Sequence, residues 1–141
     1  MTHASTAKPR PPYRVLVCDD ATVMRRTLRQ FLKGTSEFQI VGEAAGGLES
    51  IDKAIQLKPD LVLMDVRMPD LDGIEATRRI LLAVPGVRVL AFSSDSAPET
   101  VDLMLEAGAD GYLVKGADPD ELVRAAQKVL AGKRYLDVAL L

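Results

Sequence analysis

The sequence predicts an α/β domain in which a parallel sheet is covered by helices on both faces. Three observations lead to this. Short apolar runs alternate with helical stretches five times along the chain, the order that a parallel sheet requires. The run Leu61–Met64 (LVLM) is apolar at every position rather than every second one, as in a strand buried on both sides. Each run then stops at polar residues and turn formers, here Asp65 followed by Arg67, Met68, Pro69, Asp70, Asp72 and Gly73. Such a strand delivers Asp65 to the carboxyl edge, where open α/β sheets bind ligands.

The first strand is Arg14–Cys18 (RVLVC), ending at Asp19 and Asp20. In the helix that follows, Met24, Leu28, Phe31 and Leu32 share one apolar face. Thr22 or Asp20 can cap it and Gly34 stops it. Arg25, Arg26, Arg29 and Lys33 take the other side, a solvated face or a docking surface. Phe38–Ala44 is the second strand, and Gly46-Gly47 turns it into the helix Leu48–Leu57, with Leu48, Ile51 and Ile55 facing inward. Pro59 ends that helix and Leu61–Asp65 is the third strand. The third helix, Gly73–Leu82, places Ile74 and Leu81 on one side and is broken by Pro85-Gly86.

Arg88–Phe92 is the fourth strand, followed by Ser93, Ser94 and Asp95. Ser96-Ala97-Pro98-Glu99 has the form of a capping box, so a helix starts there and ends at Gly108. Gly111–Val114 is the fifth strand and leads to Lys115. Asp118-Pro119-Asp120-Glu121 is a second capping box, opening a helix to about Ala131 with Leu122, Ala126, Val129 and Leu130 inward. Five units of this kind favour a five-stranded, flavodoxin-like (βα)5 sheet of order 2-1-3-4-5. The expected organisation is a disordered N-terminal tail over residues 1–12, one folded domain over 13–132, and the start of a linker or a tail over 133–141.

A chain of 141 residues that is 48% hydrophobic can bury a core without metal or disulfide staples. With 18 basic and 20 acidic residues the net charge is −2, which gives no general pull toward nucleic acid or an anionic membrane. No apolar run approaches the ~20 residues of a spanning helix, and the first dozen residues lack the apolar centre of a signal peptide. The single cysteine, Cys18, forms no internal disulfide and is expected as a small core residue. A cytoplasmic setting is therefore expected. His3, the only histidine, lies in the tail, so an internal histidine base is not expected.

In this winding Asp19, Asp20, Asp65, Ser93 and Lys115 converge in one crevice. Each alone has a bland reading as cap, turn former or surface charge. Three carboxylates together repel unless a cation neutralises them, and an all-oxygen donor set suits Mg²⁺. Asp65 projects alone from a central strand and is the best acceptor for a phosphoryl group. Lys115 and the Ser93 hydroxyl can hold two of its oxygens.

The segments VLVCDD, LVLMDVRMPDLDG, VLAFSS and GADGYLVK together resemble the receiver domain of two-component response regulators. The resemblance covers about Arg14–Ala131 and agrees at five separated motif positions. It implies Mg²⁺-dependent transfer of phosphate from the phosphohistidine of a sensor histidine kinase to Asp65. It also implies Mg²⁺ ligation by Asp20, Asp65 and the Arg67 backbone carbonyl, with Asp19 acting through water. Ser93 and Tyr112 match the family's switch pair. Phosphate at Asp65 is expected to draw Ser93 inward, let Tyr112 turn into the space behind strand four, and change the face made by the fourth helix, strand five and the last helix. Such a domain receives phosphate and can lose it to water without being a dedicated enzyme.

Two positions depart from the family pattern. Many receivers carry proline after the lysine; here Gly116 follows, and no proline-type cis bond is expected. Ser93 stands where threonine is commoner. Arg67 and Asp95 flank the acceptor and are expected to pair across its mouth and influence attack by water. A phosphatase of the haloacid-dehalogenase type would need an Asp-x-Asp pair after strand one, but Asp19 and Asp20 are adjacent. A flavin carrier would need a phosphate loop there, which the same aspartates repel.

The C-terminal part, GADPDELVRAAQKVLAGKRYLDVALL, resembles receivers that precede a helix-turn-helix domain in NarL-type transcription factors. KRYLDVALL looks like the start of the linker. The expected protein is thus the N-terminal part of a transcriptional regulator, or else a stand-alone receiver acting through protein contacts. With no basic recognition helix, these residues are expected to bind neither DNA directly nor a membrane. A homodimer through the first or last helix is compatible with the sequence.

Overall fold

The computed structural model describes residues 9–141. His3 and most of the expected N-terminal tail lie outside the described residues. The strands are β1 (Tyr13–Cys18), β2 (Phe38–Ala44), β3 (Leu61–Met64), β4 (Arg88–Ser93), β5 (Gly111–Val114) and a short β6 (Tyr135–Leu136). Between them lie α1 (Thr22–Lys33), α2 (Gly47–Leu57), α3 (Gly73–Ala83), α4 (Pro98–Glu106) and α5 (Pro119–Leu130). The sheet is parallel throughout, in the order β2-β1-β3-β4-β5-β6.

Alternation along each strand divides the core into two layers. Leu16, Val62, Met64, Ala91 and Tyr112 point to the side covered by α2, α3 and α4, where they meet Ala54, Ala76, Ile80 and Met104. Val15, Val17, Leu61, Leu63, Phe92 and Leu113 point to the other side and meet Leu28 and Leu32 of α1 and Leu122, Ala126 and Val129 of α5. Both sides of β3 are thus filled, which is why its four residues are all apolar. Cys18 is buried, and burial pushes its thiol up to about 12. It packs as a small hydrophobe, as do Met64 and Met104.

Several local expectations are corrected. Leu48 and Ile55 are exposed rather than inward. The face that α2 presents to the sheet is Gly47, Ser50 and Ala54, because α2 lies too close to the β3–α3 loop for large side chains. A Cβ on Gly47 would collide with the Leu71 backbone. Neither Thr22 nor Asp20 caps α1; its N-cap is Ala21 and no side chain bonds there. Ser96 does not cap α4 either. Its N-cap is Ala97, whose own N–H is taken by Asp95 Oδ1 at 3.0 Å. The Asp118 cap of α5 forms as expected, accepting from the Glu121 N–H at 2.8 Å. The third strand stops at Met64, one residue before Asp65.

The sheet has six strands, not the five expected. After α5 the chain returns along β5, pairing Tyr135 with Gly111 and Leu136 with Tyr112. Gly111 permits the approach, since a Cβ there would lie 2.7 Å from the Tyr135 carbonyl oxygen. The buried Asp137 then accepts from the Val114 N–H at 2.9 Å and from the Ala139 N–H at 2.9 Å, opening a 3-10 turn over Val138–Leu140. Leu136 and Leu140 pack against the layer containing Tyr112. Much of 133–141, the expected linker or tail, is therefore folded onto the domain. Among the described residues no helix is long and apolar enough to cross a membrane.

Asp137→Ala is expected to lower stability by about 1–3 kcal/mol, because the half-buried Val114 N–H loses its acceptor. Val138→Ala, at an exposed neighbour, should change it by less than about 0.5 kcal/mol. Urea unfolding of the two variants checks both.

Candidate functional site

Parallel register carries four side chains to one edge. Cys18 pairs with Met64, so Asp19 and Asp65 leave adjacent strand ends side by side. Ser93 pairs with Val114, and the Lys115 N–H donates to the Ser93 carbonyl at 2.9 Å. One carboxylate oxygen from each of Asp19, Asp20 and Asp65 lies within 4.8 Å of the others. Lys115 Nζ stands 2.8 Å from Asp19 Oδ2 and 3.3 Å from Asp65 Oδ2. Asp19 and Asp65 are buried and Asp20 is exposed. The sequence reading thus placed Asp19, Asp20, Asp65 and Lys115 correctly as neighbours.

The electrostatics are unbalanced. Burial pushes the Asp65 carboxyl above the usual range, the Asp19 charge adds to this, and Lys115 opposes it. Burial pulls the Lys115 ammonium down, but the ion pair with Asp19 and the charge of Asp65 outweigh it, so its net shift is upward. Ionised, the three carboxylates and one ammonium leave two uncompensated negative charges. Asp19 Oδ2 is buried and, although Lys115 is at ion-pair distance, it has no well-angled hydrogen bond. A hard divalent cation fits this oxygen-only donor set and its charge.

Loop contacts hold the carboxylates in place. Asp19 Oδ1 accepts from the Ala21 N–H at 2.9 Å. The loop after Asp65 folds back so tightly that Gly73 donates to the Val66 carbonyl at 2.7 Å. A Cβ on Gly73 would collide with the Asp65 carbonyl oxygen. The same loop is tied to α2 by Asp70, which accepts from the Gly47 N–H at 2.9 Å and the Leu48 N–H at 3.2 Å. Asp70 thereby caps a helix distant in sequence. Neither Gly73 nor Asp70 was singled out for this from the sequence: the Asp70 partners lie on α2, and the Gly73 approach depends on how its own loop folds back. Beyond Lys115, Gly116 has φ +111°, which proline cannot adopt, and the Lys115–Gly116 peptide is not cis.

At the mouth, Arg67 and Asp95 do pair, with Nε at 3.0 Å and Nη2 at 2.5 Å from Asp95 Oδ2. Asp95 Oδ2 also accepts from Thr100 Oγ1 at 3.1 Å, which anchors the loop to α4. The Ala97 N–H, helped by Arg67, holds the Asp95 carboxyl below its usual range. Ser93 Oγ is buried and accepts from the Asp95 N–H at 3.1 Å. Tyr112, the aromatic of the expected switch pair, lies next to this loop. It is buried, and its hydroxyl donates to the Asp95 carbonyl. The ring packs in the apolar layer beneath α4, beside Met104 and Val101.

Comparison with known proteins gives a consistent result. Residues 15–127 match the family described as the response regulator receiver domain. The response regulator GacA of Pseudomonas viridiflava is 44% identical over 123 residues, which are 87% of this chain and 58% of GacA. This chain therefore spans less than two thirds of that relative's length. Among solved structures, a LuxR-family two-component response regulator from Aurantimonas sp. SI85-9A1 superimposes with TM-score 0.86 at 34% identity, over 91% of both chains. The signal receiver domain of the putative response regulator NarL from Mycobacterium tuberculosis gives 0.83 at 30% identity, over 89% of this chain and all of that one.

Gly73→Ala is expected to cost about 1–3 kcal/mol, since backbone must shift to admit the methyl group. Gly34→Ala, where nothing lies within 4 Å and φ is −68°, serves as the control and should be neutral or slightly stabilising. Chemical denaturation of the pair measures the difference.

Proposed function

Because this chain belongs to the response regulator receiver domain family of two-component systems, we propose that Asp65 is its phosphoacceptor and that Asp19, Asp20 and Asp65 hold the Mg²⁺ the transfer requires. The observation that carries this reading is Lys115 set between Asp19 and Asp65 at the edge of the sheet. The Arg67 backbone carbonyl is the further ligand of the proposed set, and Asp19 acts through water. When bound, Mg²⁺ supplies Lewis-acid stabilisation of one phosphoryl oxygen.

The remaining steps belong to the chain's own residues. A carboxylate oxygen of Asp65 attacks phosphorus. The nitrogen–phosphorus bond of the donor phosphohistidine breaks, and its electron pair stays on the departing imidazole. Lys115 neutralises charge on a second phosphoryl oxygen, and the Ser93 hydroxyl donates to a third after leaving the Asp95 N–H. Hydrolysis reverses the modification: water attacks phosphorus, inorganic phosphate leaves and the Asp65 carboxylate returns. On this reading the chain receives phosphate and returns it to water, rather than acting as a dedicated enzyme.

The donor is a sensor histidine kinase, the setting is cytoplasmic, and the domain that begins at residue 13 continues past 132 to take in β6. Sequence likeness to regulators of which it spans 58% supports a role as the receiver part of a transcriptional regulator. Its output face includes α4, β5 and α5, with β6 covering the free edge of β5.

Incubation with acetyl phosphate and Mg²⁺ should add one phosphoryl group to the protein by intact mass, mapped to Asp65. No gain in the wild type, or an equal gain in Asp65→Asn, would overturn the assignment. The Arg67–Asp95 pair is proposed to screen the acceptor from water. Arg67→Ala and Asp95→Ala should each change the dephosphorylation rate by about threefold or more, as a loss of positioning would. Unchanged decay of the phosphoprotein in both would remove that role. Ser93→Ala is expected to accept phosphate while responding weakly at α4, followed by amide shifts of Thr100 and Val101 before and after phosphorylation.

A further inference from the structure

We propose that Arg25 is a positioning residue that holds the Asp19–Asp20 turn in its cation-binding shape, with Glu43 keeping the guanidinium in place. The inference rests on reading the acidic cluster as a divalent-cation site. Arg25 is the fourth residue of α1, near the positive end of the helix dipole and beside that site. Both features disfavour a cation there. Its side chain is nevertheless only 16% exposed, so it is not a solvated surface charge.

Its contacts give the reason. Nη1 donates to the Asp19 carbonyl at 2.7 Å, Nε donates to Glu43 Oε1 at 3.0 Å, and Nη2 donates to Thr22 Oγ1 at 3.3 Å. One planar fork thus joins the β1–α1 turn to β2 and to the start of α1. The turn needs such a brace, because no side chain caps α1. The rest of its hold on β2 is the Asp19 N–H donating to the Ala44 carbonyl at 3.0 Å. Glu43 is fixed in turn. It pairs with Val17 in the sheet, its second oxygen is taken by Arg29, and its carbonyl accepts from Lys53 Nζ at 2.5 Å. Burial raises the Glu43 carboxyl, but the hydrogen bonds and charges of Arg29 and Arg25 outweigh it and lower the net value.

Charge and positioning make opposite demands on a variant. If Arg25 acted only as a nearby positive charge, removing it would tighten cation binding by relieving repulsion. If it braces the turn, removing it loosens binding, because the carboxylates lose their alignment. Arg29 separates the two effects, since it shares Glu43 but makes no contact with the turn.

The test uses Mn²⁺ in place of Mg²⁺, with free Mn²⁺ read by electron paramagnetic resonance on the full chain. Arg25→Ala should weaken Mn²⁺ binding about tenfold. Arg29→Ala should leave it within about threefold of wild type or tighten it. Arg25→Lys keeps the charge but not the fork and should fall between wild type and Arg25→Ala. With acetyl phosphate, the Mg²⁺ concentration for half-maximal phosphorylation should rise in Arg25→Ala while the rate at saturating Mg²⁺ changes little. If Arg25→Ala fails to fold by circular dichroism, Arg25→Lys and Glu43→Gln carry the test, each expected to weaken Mn²⁺. Binding as tight as wild type in every folded variant overturns the inference alone. A wild type that binds no Mn²⁺ overturns the reading of the cluster and this inference with it.

Discussion

Three carboxylates and one ammonium meet at the edge of a parallel sheet, and the charges do not cancel. Asp19 and Asp65 are buried where water cannot screen them, so the cluster is stable only if surrounding backbone holds it. Much of the nearby architecture does so. Gly73 lets the loop fold onto the Asp65 carbonyl. Asp70 pins that loop to α2, and Arg25 ties the other acidic turn to β2. Register between β1 and β3 sets the spacing of the two acidic turns.

The same edge is connected outward through Asp95. Its carboxylate binds Arg67 from the β3–α3 loop and Thr100 from α4, and its carbonyl accepts from Tyr112 of β5. Tyr112 then pairs with Leu136 of β6, whose neighbour Asp137 holds the Val114 N–H beside Lys115. The mouth of the site, the first turn of α4 and the last strand are thus in continuous contact. A charge change at Asp65 meets a packed network here, with few loose side chains to absorb it.

Some of this was legible from residues alone. The unbroken apolar run of Leu61–Met64 required a sheet covered on both faces, and alternation into two layers is what forms. Asp19, Asp20, Asp65, Ser93 and Lys115 each stand at or just past the end of a strand, so parallel winding brings them to one edge. Other expectations failed for local reasons. Leu48 and Ile55 carry apolar side chains, but proximity of α2 to the Leu71 backbone turns a small-residue face inward instead. Ser96 fits a capping pattern, yet the helix starts one residue later, with Ala97 at the N-cap and Pro98 first in α4. Tyr135–Leu136 is too short for periodicity to register as a strand.

The sequence by itself determined the alternation of elements, the apolar sides of most helices and which polar residues stand at the strand ends. These depend on near-neighbour spacing along the chain. Tertiary structure alone decided the sixth strand, the bond from the Tyr112 hydroxyl to the Asp95 carbonyl, the Asp70 cap across to α2 and the arginine brace from α1 to β2. Each of these joins segments far apart in sequence, with a specificity set by distance and direction in space. A one-dimensional pattern carries neither.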